Sequence, residues 1–153
     1  MGRIISVNTS PGKGEKKTPA AQVSAVAGLG LADDGHAGNR HRQVSLLAME
    51  SIAKIRAAGL AVNPGDFAEN ITTEGIELYT LPLGTLLAIG STVILKLSQV
   101  GKECHSRCAI FYQVGDCVMP REGIFAEVIR GGTIAAGDAI IVTPPAGVNN
   151  ETS

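Results

Sequence analysis

Apolar residues in this chain come in short β-branched runs cut by glycine, at intervals too small for crossover helices. TVILKLSQV at 92–100 is one such run, and GIFAEVIRGGTIAAGDAIIVT at 123–143 reads as two strands around Gly131–Gly132 with a second turn at Ala136–Asp138. Aromatic residues are only 3% of a chain that is 44% hydrophobic, so Val, Ile, Leu and Ala must fill the core. Nineteen glycines imply many turns. Branched side chains suit a pleated, half-buried surface, and glycine supplies the tight connections between such surfaces. The expected fold is mainly β: a curled antiparallel or mixed sheet forming a barrel, decorated by one or two helices.

The remaining elements follow from local pattern. RIISVN at 3–8, Gln22–Val26 and QVSLL at 43–47 read as strands. Between them lie a Gly-, Pro- and Lys-rich loop at 9–19 and a polar, glycine-punctuated loop at 28–42. From Ala48 to Ala58 the period becomes helical, with Ala48, Ile52 and Ile55 on one face, Glu50 and Lys54 on another, and Gly59 as the stop. NPGDFAENITTEGIEL at 63–78 reads as a turn and a short strand. A chain of 153 residues fits one domain with a usable core, here 1–143, and PPAGVNNETS at 144–153 is expected to be a flexible tail.

Several function classes are disfavoured. A formal charge of −1 offers no general attraction for nucleic acid or anionic membrane. The start MGRIISVNTS has no apolar core of a secretory signal, and the apolar region Leu81–Leu97 is broken by Pro82, Gly84, Gly90 and Ser91 and carries Lys96, so no membrane span is expected. Three cysteines within a short stretch, without an export signal, point to reduced thiols in the cytoplasm.

Those cysteines, Cys104, Cys108 and Cys117, all fall in GKECHSRCAIFYQVGDC at 101–117. Three readings compete: a zinc site, a thiol used for chemistry, or small residues filling a core. A helix from 104 would bring the Cys104 and Cys108 side chains to about 5–6 Å on one face, whereas an extended segment would separate them by about 13 Å. Zinc lacks the tight knuckle spacing of its common sites. Lys102, His105 and Arg107 favour a thiolate over a thiol, and a thiolate is a soft ligand and a nucleophile able to carry persulfide sulfur.

Two other stretches carry polar groups beyond what a structural domain requires. DDGHAGNRHRQ at 33–43 places His36, Arg40, His41 and Arg42 among glycines, and arginines with backbone N–H groups in such a loop can clamp an oxyanion. A solvated loop is the alternative. In PGDFAENI at 64–71, Asn70 could contact a ligand or brace the adjoining turn, beside Glu69, while Asp66 reads as a brace. Arg121 and Glu122 follow Cys117 as an ion pair or a further anion contact.

The stretches GHAGNRHRQVSLL, PGDFAENITTEGI, KECHSRCAI and REGIFAEVIRGGTIAAGD, in this order, resemble the successive signatures of the MOSC domain, first defined at the C-terminus of molybdenum cofactor sulfurase. The resemblance spans about residues 3–143 and is to the short stand-alone bacterial members. It implies a barrel-like fold and one cysteine that carries sulfur or ligates molybdenum. The family pattern around that cysteine often reads PCxRCxxT. SRCAI fits it best at Cys108, with Cys104 second; Glu103 stands where proline is usual and His105 is an extra residue.

The resemblance further implies binding of the molybdenum cofactor (molybdopterin), with Cys108 as thiolate ligand or persulfide carrier. His36, Arg40, His41, Arg42, Arg107 and Arg121 would then hold the pterin phosphate, Asn70 would line the site, and Lys13, Lys16 and Lys17 would be weaker contacts. No pyridoxal phosphate site is identifiable, so sulfur would come from a separate donor protein. Some relatives reduce N-hydroxylated compounds, which here would require separate electron-transfer partners. The expected partners are a pterin cofactor or a sulfur donor or acceptor protein, with turnover as sulfur transferase or reductase left open. A structural zinc or thiol-redox protein is the different-class alternative.

Overall fold

The computed structural model describes residues 2–9, 18–32, 43–57, 59, 61–65, 69–100 and 123–144. The chain order is β1 (Gly2–Thr9), β2 (Thr18–Ala20), β3 (Gln22–Val26), β4 (Gly30–Leu31), β5 (Val44–Ala48), α1 (Met49–Ala57) and β6 (Ile71–Glu74). It continues through a 3-10 turn (Leu78–Thr80), β7 (Leu86–Ile89), β8 (Val93–Val100), β9 (Ile124–Arg130), β10 (Gly132–Ala135) and β11 (Ala139–Thr143). Strands run in the order β11-β7-β8-β9-β5-β6-β1, and pairing of β1 with β11 closes them into a barrel of seven, to which β2 adds outside β1. Strands β10, β3 and β4 form a separate small sheet.

The expected mainly β barrel is therefore what the chain adopts, with α1 as the helix. Its boundaries follow the sequence pattern: Ile52 and Ile55 are buried, and Gly59, at φ +104°, ends the helix by donating its N–H to the Arg56 carbonyl at 3.0 Å. One detail differs from expectation. The connection β5-α1-β6 is a crossover, because β5 and β6 pair in parallel at Leu46↔Ile71 and Ala48↔Thr73. Parallel neighbours need such a crossover, so α1 is part of the barrel's wiring rather than an ornament. The 123–143 segment also yields three strands, since Gly131 separates β9 from β10 and the turn at Ala136–Gly137 separates β10 from β11.

The interior is aliphatic. Leu46 and Ile71 face one another across β5 and β6, Leu87 faces Leu95 across β7 and β8, and Ile4, Val7, Ile124 and Ile140 join the same buried cluster. Two irregularities in β8–β9 pairing and one in β1–β6 bend the strands, as closure of a small barrel requires.

The irregularity in β1 has the larger effect. Ile4 pairs with Thr73 and Ser6 with Thr72, so Ile5 is an extra residue in β1. Strict alternation would give Ile4, Ser6 and Asn8 the same face. The bulge reverses the phase, so that Ile4 and Val7 both enter the interior cluster while Ser6 and Asn8 turn to the outer face of β1.

Thr73 is a polar residue within the barrel. It lies opposite Ile4 and Ala48, both interior residues, and its buried Oγ1 has no hydrogen-bond partner among the described residues. An unpaired buried hydroxyl costs about 1–3 kcal/mol of desolvation. Thr73→Val keeps the branched shape and removes that cost. We expect it to raise the thermal midpoint by about 2–4 °C, from about 1 kcal/mol in a domain of this size, as read by calorimetry.

Candidate functional site

The outer face of β1, β6 and β5 carries a buried polar network at the ends of these strands. Asn70 is at its centre. Its backbone N–H donates to the Ser45 carbonyl at 2.9 Å, and its Oδ1 accepts from the Ser45 N–H at 2.9 Å and the Ser45 hydroxyl at 3.2 Å. On the other side its Nδ2 donates to the Asn8 carbonyl at 3.2 Å, and its carbonyl accepts from the Asn8 N–H at 2.6 Å. The residue thus ties β5 to β1 where the β6 ladder begins.

Asn8 and Glu69 extend the network. Asn8 Oδ1 accepts from the Ser6 hydroxyl at 2.7 Å, while its Nδ2 donates to the Glu69 carbonyl and to Thr72 Oγ1, each at 3.2 Å. Glu69 is fully buried, and its Oε2 accepts from the Thr72 hydroxyl at 2.7 Å and from the Gly65 N–H at 2.9 Å. A buried carboxylate is tolerated only with such donors around it. Here they pin the turn at Gly65 to the start of β6.

Gln43 organises the neighbouring strand end. Beyond the Val44↔Ala126 pair, the buried Gln43 side chain continues the contact of β5 with β9 by accepting from the Val128 N–H at 3.0 Å. Gly30 lies against the same residue: a Cβ there would stand 2.7 Å from the Gln43 carbonyl oxygen, and its φ of +123° also disfavours other residues. The small sheet therefore packs against the chain just where β5 begins.

Of the residues singled out from the sequence, Asn70 is described, and both sides of its amide are used within the fold, which favours the bracing reading. Cys104, Cys108, Cys117, His36, Arg40, His41, Arg42, Arg107, Arg121, Lys13, Lys16 and Lys17 lie outside the described residues. Their flanking strands are defined. The chain re-enters the barrel at Gln43 after 33–42 and at Gly123 after 101–122, and Ile124 pairs with Leu46, three positions beyond Gln43. Because β5 and β9 run antiparallel, Gly123 falls opposite Leu47, four positions beyond Gln43; at about 3.3 Å per residue along a strand and about 4.8 Å between strands, these two points are about 14 Å apart, at opposite ends of the strand pair.

Sequence reading missed Asn8, Ser45 and Thr72 as parts of this network. Nothing local marks them, because each is an ordinary strand residue until the pairing brings it to its partners. Among the described residues no group of three or more His, Cys, Asp and Glu could hold a metal ion, and every cysteine of the sequence lies in 101–122. The three thiols there are the donor type that suits molybdenum bound through sulfur.

A cleft of about 360 Å³ lies elsewhere, between α1 and the segment after β6, lined by residues including Glu50, Lys54, Glu77 and Tyr79. Its polar groups are turned to structural uses. Lys54 Nζ sits 5.5 Å from the centroid of the Tyr79 ring, and Glu50 Oε2 accepts from the Gly75 N–H at 2.9 Å. None of the described residues lining it was singled out from the sequence as a site residue. No helix among the described residues is long and apolar enough to cross a membrane.

Comparison with known proteins places this geometry in a family. The chain is similar in structure to the YuaD protein from Bacillus subtilis, at 18% identity and a TM-score of 0.78, covering 93% of this chain and 96% of that one. It is also similar to YiiM from Geobacillus stearothermophilus, at 21% identity and a TM-score of 0.70, covering 94% of this chain and 75% of that one. YiiM from Escherichia coli gives 20% identity and a TM-score of 0.67, covering 95% of this chain and 71% of that one. These likenesses show the fold. No functionally curated protein matches the chain. The profile of the MOSC domain matches residues 33–141, well over half of the sequence, so the chain belongs to the MOSC domain family.

Proposed function

We propose that this protein binds the molybdenum cofactor or a sulfur-loaded precursor of it, with Cys108 as the thiolate that ligates molybdenum or carries sulfur. The observation that carries the reading is the MOSC-domain match over residues 33–141, which takes in both the basic segment 33–42 and the cysteine segment 101–122; by strand geometry these segments join the barrel at Gln43 and Gly123, about 14 Å apart. A pterin cofactor has a sulfur-bound metal at one end and a phosphate at the other. Its binding site needs a soft ligand and an anion clamp about a ligand's length apart, and segments of 10 and 22 residues are long enough to supply the two from those attachment points.

On this reading Cys108 holds the metal end, with Cys104 as the second thiol, and His36, Arg40, His41 and Arg42 hold the phosphate, assisted by Arg107 and Arg121. When bound, the cofactor supplies oxo- and sulfur-transfer chemistry. The chain's own groups bind and orient it: arginine offers paired N–H donors to phosphate oxygens, and the thiolate offers a soft donor. A separate sulfur donor or acceptor protein, or a reductase partner, would complete any turnover.

The test begins with molybdenum and sulfur content of protein purified from a molybdenum-replete host. Arg40→Ala combined with Arg42→Ala should then weaken cofactor binding by about 1.5–3 kcal/mol for each charged hydrogen bond removed, with thiol alkylation at Cys108 unchanged. Unchanged affinity in the double variant would take the 33–42 segment out of the site.

A further inference from the structure

We propose that Asn70 is a positioning residue, which acts with Asn8 and Ser45 to fix the points at which several chain segments leave the barrel. The proposal rests on the cofactor-binding reading for its purpose, but not for its physical basis. Asn8 stands just before segment 10–17, Ser45 is two residues after Gln43, and Glu69 directly follows segment 66–68. One hydrogen-bonded unit thus joins the strand ends next to three separate segments, and Asn70 contacts both Ser45 and Asn8. Interior packing of Ile4, Val7, Leu46 and Ile71 already sets the barrel's register from the other face. Apolar residues could cover the outer face at less desolvation cost, because buried polar groups are retained without penalty only when fully paired. What such a network adds is a single geometry, since each partner accepts only one arrangement of donors and acceptors.

The bulge at Ile5 supports this assignment. By turning Ser6 and Asn8 outward it creates the network, at the expense of regular β1–β6 pairing. Because Ser45 lies two residues beyond Gln43, an Asn70 bond to its N–H also holds the strand end from which segment 33–42 departs.

Hydrogen exchange measured by mass spectrometry on the intact protein tests this directly. In Asn70→Ala, exchange in peptides covering the β1 end at Val7–Thr9 and the β5 start at Val44–Leu46 should rise together by roughly tenfold, while β7 and β8 keep their protection. Ser45→Ala, which removes only a hydroxyl, should give the same pattern at smaller amplitude if the asparagine variant folds poorly. Acceleration confined to residues adjoining position 70, or spread evenly over the barrel, would overturn the proposal by showing an ordinary stabilising contact. A second measurement uses molybdopterin as the probe. Asn70→Ala should lose roughly tenfold in affinity, and much of that loss should disappear in a background already carrying Arg40→Ala and Arg42→Ala, because contacts in one unit are not additive. If the unaltered protein binds no molybdopterin, the functional reading falls while the exchange result still decides whether Asn70 positions the segments.

Discussion

Protein carrying Cys108→Ser should retain less than about a tenth of the molybdenum or transferable sulfur bound by the unaltered chain, because serine's hydroxyl stays protonated near neutral pH and is a poor soft ligand. Folding should survive the change. The barrel's interior is built from buried aliphatic strand residues such as Ile71, Leu87 and Leu95. Elemental analysis and persulfide assay give the first quantity, and the denaturant midpoint gives the second. A Cys104→Ser variant that alone empties the protein would move the role to that thiol. Stoichiometric zinc, with unfolding on chelation, would replace the carrier reading with a structural zinc site, since binding energy would then be folding energy.

Leu46→Ala should destabilise the barrel by about 2–5 kcal/mol. Leu46 is fully buried at the middle of β5, where it pairs with Ile71 on one side and Ile124 on the other. Truncation removes its transfer free energy and leaves a cavity that a closed barrel cannot readily collapse, because neighbouring strands are held in register by their ladders. Against a total stability of about 5–15 kcal/mol, this is a large fraction. The denaturant midpoint should fall with little change in slope, and a loss below about 1 kcal/mol would mean that the interior repacks.

The strands called from pattern alone, such as Gln22–Val26 and 92–100, are those with alternating or continuous apolar runs bounded by glycine, and the structure has β3 and β8 there. Strand β7 was harder to read. LLAI at 86–89 sits in an apolar region with no polar alternation, and its identity as a strand depends on pairing with β8 and β11. The two-residue strand β4 has too few side chains for any periodicity, and only its bonds to β3 define it. For the site, residue chemistry pointed to the thiols and the basic loop, and Asn70 stood out beside Glu69. Their surroundings were not readable, since the partners of Asn70 lie in β1 and β5, far away in the chain.

By itself, then, the sequence determined the class of fold, the aliphatic character of the core, the position of α1 and the family signatures, because all of these depend on residue type and short-range period. Tertiary structure alone decided that α1 joins parallel strands, that Gln43 continues the contact of β5 with β9, and that Ser6 and Asn8 face outward. The last depends on one extra residue at Ile5. Read as uninterrupted alternation, RIISVN would direct Ser6 and Asn8 to the same face as Ile4, and only the pairing of β1 with β6 reverses that phase, by inserting a bulge that seats Val7 in the core and brings Asn8 to Asn70.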